Sequence, residues 1–160
     1  MIQIRPANSK KDFQSVKDLF REYAESLGFD LDFQNFEDEM RGFPGKYAPP
    51  EGAVLVAESD GTIVGCVALR ALSAGCCEMK RLYVKPDHRG LLIGARLTKA
   101  IIIRGREDGY DVMRLDTVPW MKAAINLYRS LGFKPIPAYC HNPIDGALFF
   151  ELDLRKITPV

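Results

Sequence analysis

The sequence predicts an α/β domain, a mixed sheet with helices on both faces. Three observations predict it. The chain has 160 residues, about one domain's worth, with an ordinary globular mixture of 47% hydrophobic and 27% charged residues. Helical and strand patterns alternate without a linker, repeat or low-complexity segment, so residues 1–160 read as a single domain. A run of three β segments feeds a β-α-β-α unit, which needs both antiparallel and parallel pairing.

The elements follow in order. Residues 2–6 start a strand that Pro6 closes, and Asn8 and Ser9 offer helix caps. Phe13, Val16, Leu19, Phe20, Tyr23 and Leu27 share one helical face, with Gly28 just past the end. A weaker helix is expected over Phe33–Arg41. Gly42–Gly52 holds three prolines and three glycines and reads as a loop. Ala53–Glu58 and Thr62–Ala71 form a hairpin around Ser59-Asp60-Gly61, and Cys76–Val84 is the third β segment. A helix over Gly94–Gly109, a strand over Asp111–Thr117 and a helix over Met121–Leu131 follow. Phe133–Ile136 and Ala147–Leu154 complete the set as strands.

Several functions are excluded early. The longest apolar run is the five residues Ala53–Ala57, against about 20 needed to span a bilayer. The start, MIQIRPANSK, carries no apolar signal segment. Cys66, Cys76, Cys77 and Cys140 form no C-x-x-C pair, and His88 and His141 stand alone. No metal site is expected, and reduced thiols in a cytoplasmic protein are.

The net charge is +1, but it is unevenly spread. Residues 80–106 hold eight basic residues and one acid, a local charge of +7, while residues 1–79 sum to −5 and residues 107–160 to −1. The cationic stretch includes His88-Arg89-Gly90-Leu91-Leu92-Ile93-Gly94-Ala95, between a strand and a helix. Free amides at a helix start, the helix dipole, glycines and an arginine together suit a diphosphate. With few interleaved aromatics and no reading motif, nucleic acid is not the expected ligand.

Two blocks then resemble the GCN5-related N-acetyltransferase (GNAT) superfamily. Glu78-Met79-Lys80-Arg81-Leu82-Tyr83-Val84-Lys85-Pro86-Asp87-His88-Arg89-Gly90 is similar to its acetyl-CoA strand and pyrophosphate loop. Arg89 and Gly94 match the ends of the loop pattern Gln/Arg-x-x-Gly-x-Gly/Ala, and Leu92 stands where glycine is usual. Ala124-Ile125-Asn126-Leu127-Tyr128-Arg129-Ser130-Leu131-Gly132-Phe133 is similar to the late-helix pattern A-x-x-L-Y-x-x-x-G-F. A Rossmann domain would need an early strand-glycine-helix unit, which is absent.

The resemblance implies an α/β (α+β) GNAT fold with a central, mostly antiparallel mixed sheet of six to seven strands. It implies acetyl-CoA as cosubstrate and direct transfer to a primary amine, carried by a small molecule or a peptide. The amides of Gly90, Leu91, Leu92, Ile93, Gly94 and Ala95 would hold the diphosphate with Arg89. Backbone of Leu82, Tyr83 and Val84 would pair with the pantetheine arm, with the Leu82 amide polarising the carbonyl. A helical backbone angle is expected at Leu92, which would tolerate the side chain.

Tyr128 is the expected proton donor to the leaving thiolate and Asn126 a CoA contact. Glu78 is the expected base, acting directly, through water, as a carboxylate of raised pKa or by attracting the ammonium. Its competing role is a surface pair with Lys80. Asp116 and Thr117 are substrate candidates, with Tyr139 and His141 in reserve. The acidic run from Glu22 to Glu39 hints at a cationic acceptor. A homodimer is compatible with the superfamily. Leu92 motivates one alternative, a catalytically inactive acyl-CoA-binding regulatory module.

Overall fold

The computed structural model describes residues 1–28 and 35–157. Seven strands form one mixed sheet in the order β1-β2-β3-β4-β5-β7-β6. They are β1 (Ile2–Pro6), β2 (Ala53–Ser59), β3 (Thr62–Ser73), β4 (Cys76–Val84), β5 (Val112–Thr117), β6 (Lys134–Pro135) and β7 (Leu148–Asp153). Only β4 and β5 pair in parallel; every other neighbour is antiparallel. The helices are α1 (Lys10–Ser26), α2 (Phe36–Arg41), α3 (Ile93–Glu107) and α4 (Lys122–Ser130). Among the described residues no helix is long and apolar enough to cross a membrane.

The alternation expected of a two-sided sheet is present. Val54, Val56, Cys66, Ala68 and Tyr83 pack under α1 and α2 against Val16, Leu19, Phe20 and Met40. Leu55, Val67, Leu69, Cys77, Met79, Met113 and Leu115 pack on the other face against Leu97 and Ile101 of α3 and Ile125 and Tyr128 of α4. Gly105 lets α3 approach closely, since a Cβ there would lie 3.1 Å from Met113 Cε and 3.4 Å from Cys77 Sγ.

Local chemistry sets the element ends. Ser9 caps α1, accepting from the Asp12 amide at 3.0 Å. Asp60 and Gly61 take φ of 48° and 85°, the left-handed pair that a tight hairpin turn requires. The expected helix over Phe33–Arg41 is shorter, beginning at Phe36; residues 33 and 34 lie outside the described residues. The expected strand over Phe133–Ile136 is shorter, Lys134–Pro135, with the Ile136 amide adding one further bond to the Phe149 carbonyl at 2.9 Å.

Two features of β4 were not anticipated. Its parallel ladder with β5 has three pairs, Cys76–Val112, Cys77–Met113 and Glu78–Arg114, and then stops although both strands continue. Opposite β3, Arg81 and Leu82 together face Val67 in a bulge, with Arg81 at φ 60°. The bulge buries Arg81, whose guanidinium bonds Glu39 through two contacts of 3.1 Å and lies 5.4 Å from the Phe36 ring. It therefore locks α2 onto the strand.

Candidate active site

The split between β4 and β5 opens the sheet at its middle. Beyond Glu78 and Arg114 a narrow slot of about 60 Å³ runs between Met79–Leu82 on one side and Leu115–Val118 on the other, lined also by Met121 and by Ala124 and Tyr128 of α4. A larger cleft of about 530 Å³ lies on the α2 face, with Tyr47, Arg70, Glu78 and His141 in its walls. Lys80, Arg81 and Asp116 line both, so they mark where slot and cleft meet.

Tyr128 belongs to the slot. Its ring packs against Phe133 and Phe150 at 5.7 and 6.4 Å, which fixes the direction of the phenol. Its hydroxyl has no hydrogen-bond partner among the described residues. Burial raises its pKa, so the phenol stays protonated and can donate.

Glu78 sits in the cleft wall, 1% exposed, and is not a surface carboxylate. Its partner is not Lys80. Arg70, directly opposite on β3, donates to Oε1 at 2.8 Å, and the Tyr139 hydroxyl donates to Oε2 at 2.6 Å. Burial alone would raise its pKa, but the Lys80 charge, the Tyr139 hydroxyl and Arg70 outweigh it, leaving the pKa below the ordinary value. The expectation of a raised carboxylate is thus corrected: Glu78 is held ionised by three neighbours.

Asp116 accepts from Asn142 Nδ2 at 3.1 Å and from the Cys140 thiol at 3.8 Å, while Thr117 faces only the slot. Asn126 is exposed on α4 and lines neither space. Tyr83 turns its ring to the opposite face, 6.2 Å from Tyr23, with its hydroxyl donating to Glu22 at 3.3 Å. Only backbone from Tyr83 is thus offered to the slot side. The Val84 carbonyl already accepts from Arg89 Nε at 3.0 Å.

The loop Arg89–Leu92 leads into α3 with Gly90 at φ 86°. Leu92 is at φ 61°, ψ 18°, left-handed and not helical as expected. The correction has a physical reason: the chain must reverse before the first helical residue, Ile93, and the side chain there is largely exposed. The cost is about 1 kcal/mol or slightly more for a residue with a Cβ. Leu92 makes no side-chain cap bond and no acid occupies the first turn of α3, so its leading amides lack the partner that a capping side chain would give. These amides suit a diphosphate, and β4's open edge suits an extended polar arm.

Two charge expectations change. The cationic stretch is not one patch, because Arg81 pairs with Glu39, Lys85 with Glu22 at 2.9 Å and Arg104 with Asp108 at 3.0 Å. The acidic run is in part occupied: Glu37 pairs with Arg21 and Asp38 with Arg41, while Asp30 and Asp32 lie outside the described residues. Sequence reasoning missed Arg70 and Asn142. Arg70 was out of reach of local counting: from the Ser73–Cys76 pair the count sets Ala71 opposite Glu78, and the register shift between Ala71 and Ser73 brings Arg70 there instead.

The Acetyltransferase (GNAT) family model matches residues 13–133. An uncharacterized N-acetyltransferase of Schizosaccharomyces pombe is 43% identical over 157 residues, covering 97% of this chain and 96% of that one. The chain belongs to the GNAT family and is an N-acetyltransferase. Solved structures show the same fold. A GNAT acetyltransferase from Staphylococcus aureus Mu50 superposes with TM-score 0.79 at 20% identity, covering 96% of this chain and 99% of that chain. The PaiA N-acetyltransferase of Thermoplasma acidophilum, in complex with coenzyme A, gives 0.72 at 18% identity, with 96% and 99% covered.

Proposed function

We propose that the enzyme moves an acetyl group from acetyl-CoA to a primary amine by direct transfer in a ternary complex. The observation that carries this reading is the open Tyr128 hydroxyl, fixed by a buried ring yet facing the slot between the split strands. Acetyl-CoA supplies the thioester. Amides of residues 90–95 and Arg89 hold its diphosphate, and the open edge of β4 around Leu82 and Val84 takes its arm. The Leu82 amide polarises the thioester carbonyl.

The amine arrives as an ammonium, since its pKa is near 10. Ionised Glu78 draws it in, and one proton leaves to water in the open cleft. The neutral nitrogen then forms the N–C bond as the C–S bond breaks, and the electron pair goes to sulfur. Tyr128 donates a hydrogen bond to that sulfur, and the second proton of the amine ends on it, giving the thiol. Asp116 and Thr117 border the acceptor's path.

The cysteines favour direct transfer over an acyl-enzyme. Burial pushes Cys77 up to about 12 and Cys140 to about 11, and raises Cys66 and Cys76 as well, so none is a ready thiolate. These free thiols also fit a reducing, cytoplasmic compartment. The inactive-module alternative loses its motive, because Leu92 differs from the loop pattern in its side chain while its backbone takes the conformation a glycine would.

The test is acetyl-CoA turnover against a pooled amine and peptide library, read by product mass, with Glu78→Gln alongside. Acetylated product from the wild type, with turnover cut in the variant and acetyl-CoA still bound, is the expected result. Tight acetyl-CoA binding with no product across the pool would overturn the reading.

A further inference from the structure

Most charges where the cleft meets the slot are matched by ion pairs, and Lys80 and Asp116 are not. Arg70 is taken by Glu78 at 2.8 Å and Arg81 by Glu39 at 3.1 Å. Asp116 is held by an amide and a thiol, neutral donors, and forms no ion pair within 4.0 Å among the described residues. Lys80 is half-buried, and its ammonium has no hydrogen bond and no ion pair within 4.0 Å among the described residues. Burial lowers its pKa, with Glu78 and Asp116 acting in the opposite direction.

The sheet brings these two exceptions side by side. The last parallel pair is Glu78–Arg114, and Lys80 and Asp116 each lie two residues further along their strands. Both therefore project to the face that Glu78 and Arg114 share, just where the strands part. Both line slot and cleft alike, so an amine poised at the slot would lie beside both.

We propose that the acceptor is a small α-amino acid, its carboxylate received by Lys80 and its ammonium by Asp116. The inference rests on the transfer reaction proposed above and names its substrate class. An unmatched cation and an unmatched anion next to each other complement a ligand whose own opposite charges are equally close. In an α-amino acid a single carbon separates amine and carboxylate. A polyamine would set a second cation against Lys80. An amine without a carboxylate would leave the half-buried ammonium of Lys80 unmatched. The 530 Å³ cleft then takes the amino-acid side chain.

The experiment compares kcat/KM for free α-amino acids, their C-terminal amides and the corresponding decarboxylated amines, in wild type, Lys80→Met and Lys80→Arg. The wild type is expected to prefer the free acid over its amide by about 100-fold, within what a site built for a polar group can discriminate. Lys80→Met should raise KM for the acid and erase the preference. Lys80→Arg, which keeps the charge, should retain most of it. Acetyl-CoA affinity, measured for each variant, reports whether the fold is intact.

Amides or decarboxylated amines used as well as acids by the wild type would overturn the inference and leave the transfer reaction standing. So would a Lys80→Met defect in kcat of equal size for acid and amide, which would move Lys80 into the chemical step. No product from any acceptor, with acetyl-CoA bound, would overturn both.

Discussion

Tyr139 donates its hydroxyl hydrogen to Glu78 Oε2 across 2.6 Å, fastening the late loop to the middle of the sheet. The same carboxylate receives Arg70 from the other side, so Glu78 joins β3, β4 and that loop at one point. A charge-assisted hydrogen bond of this kind contributes about 1.5–3 kcal/mol. Tyr139→Phe should therefore lower Tm by roughly 4–8 °C in a chain of this size. It should also raise the Glu78 pKa, because one of the groups holding it ionised is gone. Thermal denaturation and an NMR titration of Glu78 check both; an unmoved Tm with an unmoved titration would contradict the clamp.

Tyr128→Phe keeps the ring that packs on Phe133 and Phe150 and deletes only the hydroxyl. Since no described residue bonds that hydroxyl, stability should change little. Turnover should fall by about 10²-fold, in the range of a lost hydrogen-bond donor to charge that develops on the leaving atom. Steady-state kinetics beside calorimetric acetyl-CoA binding separates the two effects, with kcat falling and Kd constant.

Leu92 holds a left-handed backbone with its side chain in solvent. Asparagine tolerates that conformation better than leucine. Leu92→Asn is expected to stabilise the free protein by about 0.5–1 kcal/mol, a rise of roughly 2–3 °C in Tm. Acetyl-CoA affinity should be maintained, since the amides keep their directions. A lower Tm would show that the leucine makes a favourable contact in solution.

Asp12 is gripped by Arg5 through 2.7 and 3.0 Å contacts and by the Asn8 amide at 3.0 Å. The Arg5 hydrogen bond is the main cause holding its pKa down to about 2 from 3.8. A depressed carboxylate stabilises the fold above its unfolded pKa and loses that contribution as pH falls through its folded one. The wild type should therefore exceed Asp12→Asn in stability at pH 7. The gap should close as pH falls from about 4 to about 2. Urea denaturation across that range is the measurement, and a gap constant with pH would refute the linkage.

Arg89 bonds the Val84 carbonyl and lies 5.4 Å from the Tyr83 ring, so its guanidinium is steered by the end of β4. Arg89→Ala should weaken acetyl-CoA binding about 10-fold and flatten the dependence of Kd on salt, as expected when one phosphate-facing charge is removed. Titration at two ionic strengths reads both.

Much of this was legible in the sequence because local patterns carry it. Cys76–Val84 was bounded correctly as a strand, since a glycine turn precedes it and Lys85-Pro86 ends it. The sheet composition and the two-sided packing followed from element order. What escaped depends on pairing between distant segments. The Arg81 bulge exists only because β3 and β4 count differently between Cys66 and Ala68. The left-handed Leu92 reflects where α3 must start, one residue before the Gly94 that local pattern favoured. The Glu78 environment required Tyr139, 61 residues away, and no spacing rule links the two.

The three-pair ladder between β4 and β5 has a mechanical meaning. Beyond those pairs the molecule is two half-sheets, β1 to β4 and β5 to β7, fanned apart from a short seam. A cosubstrate threaded between them would act as a wedge that is also a splice, bonding to one half while bearing on the other. Its arrival would stiffen the molecule across its width, and its departure as free thiol would let the halves relax. Protection of β5 amides from solvent exchange would then follow how fully the enzyme is loaded.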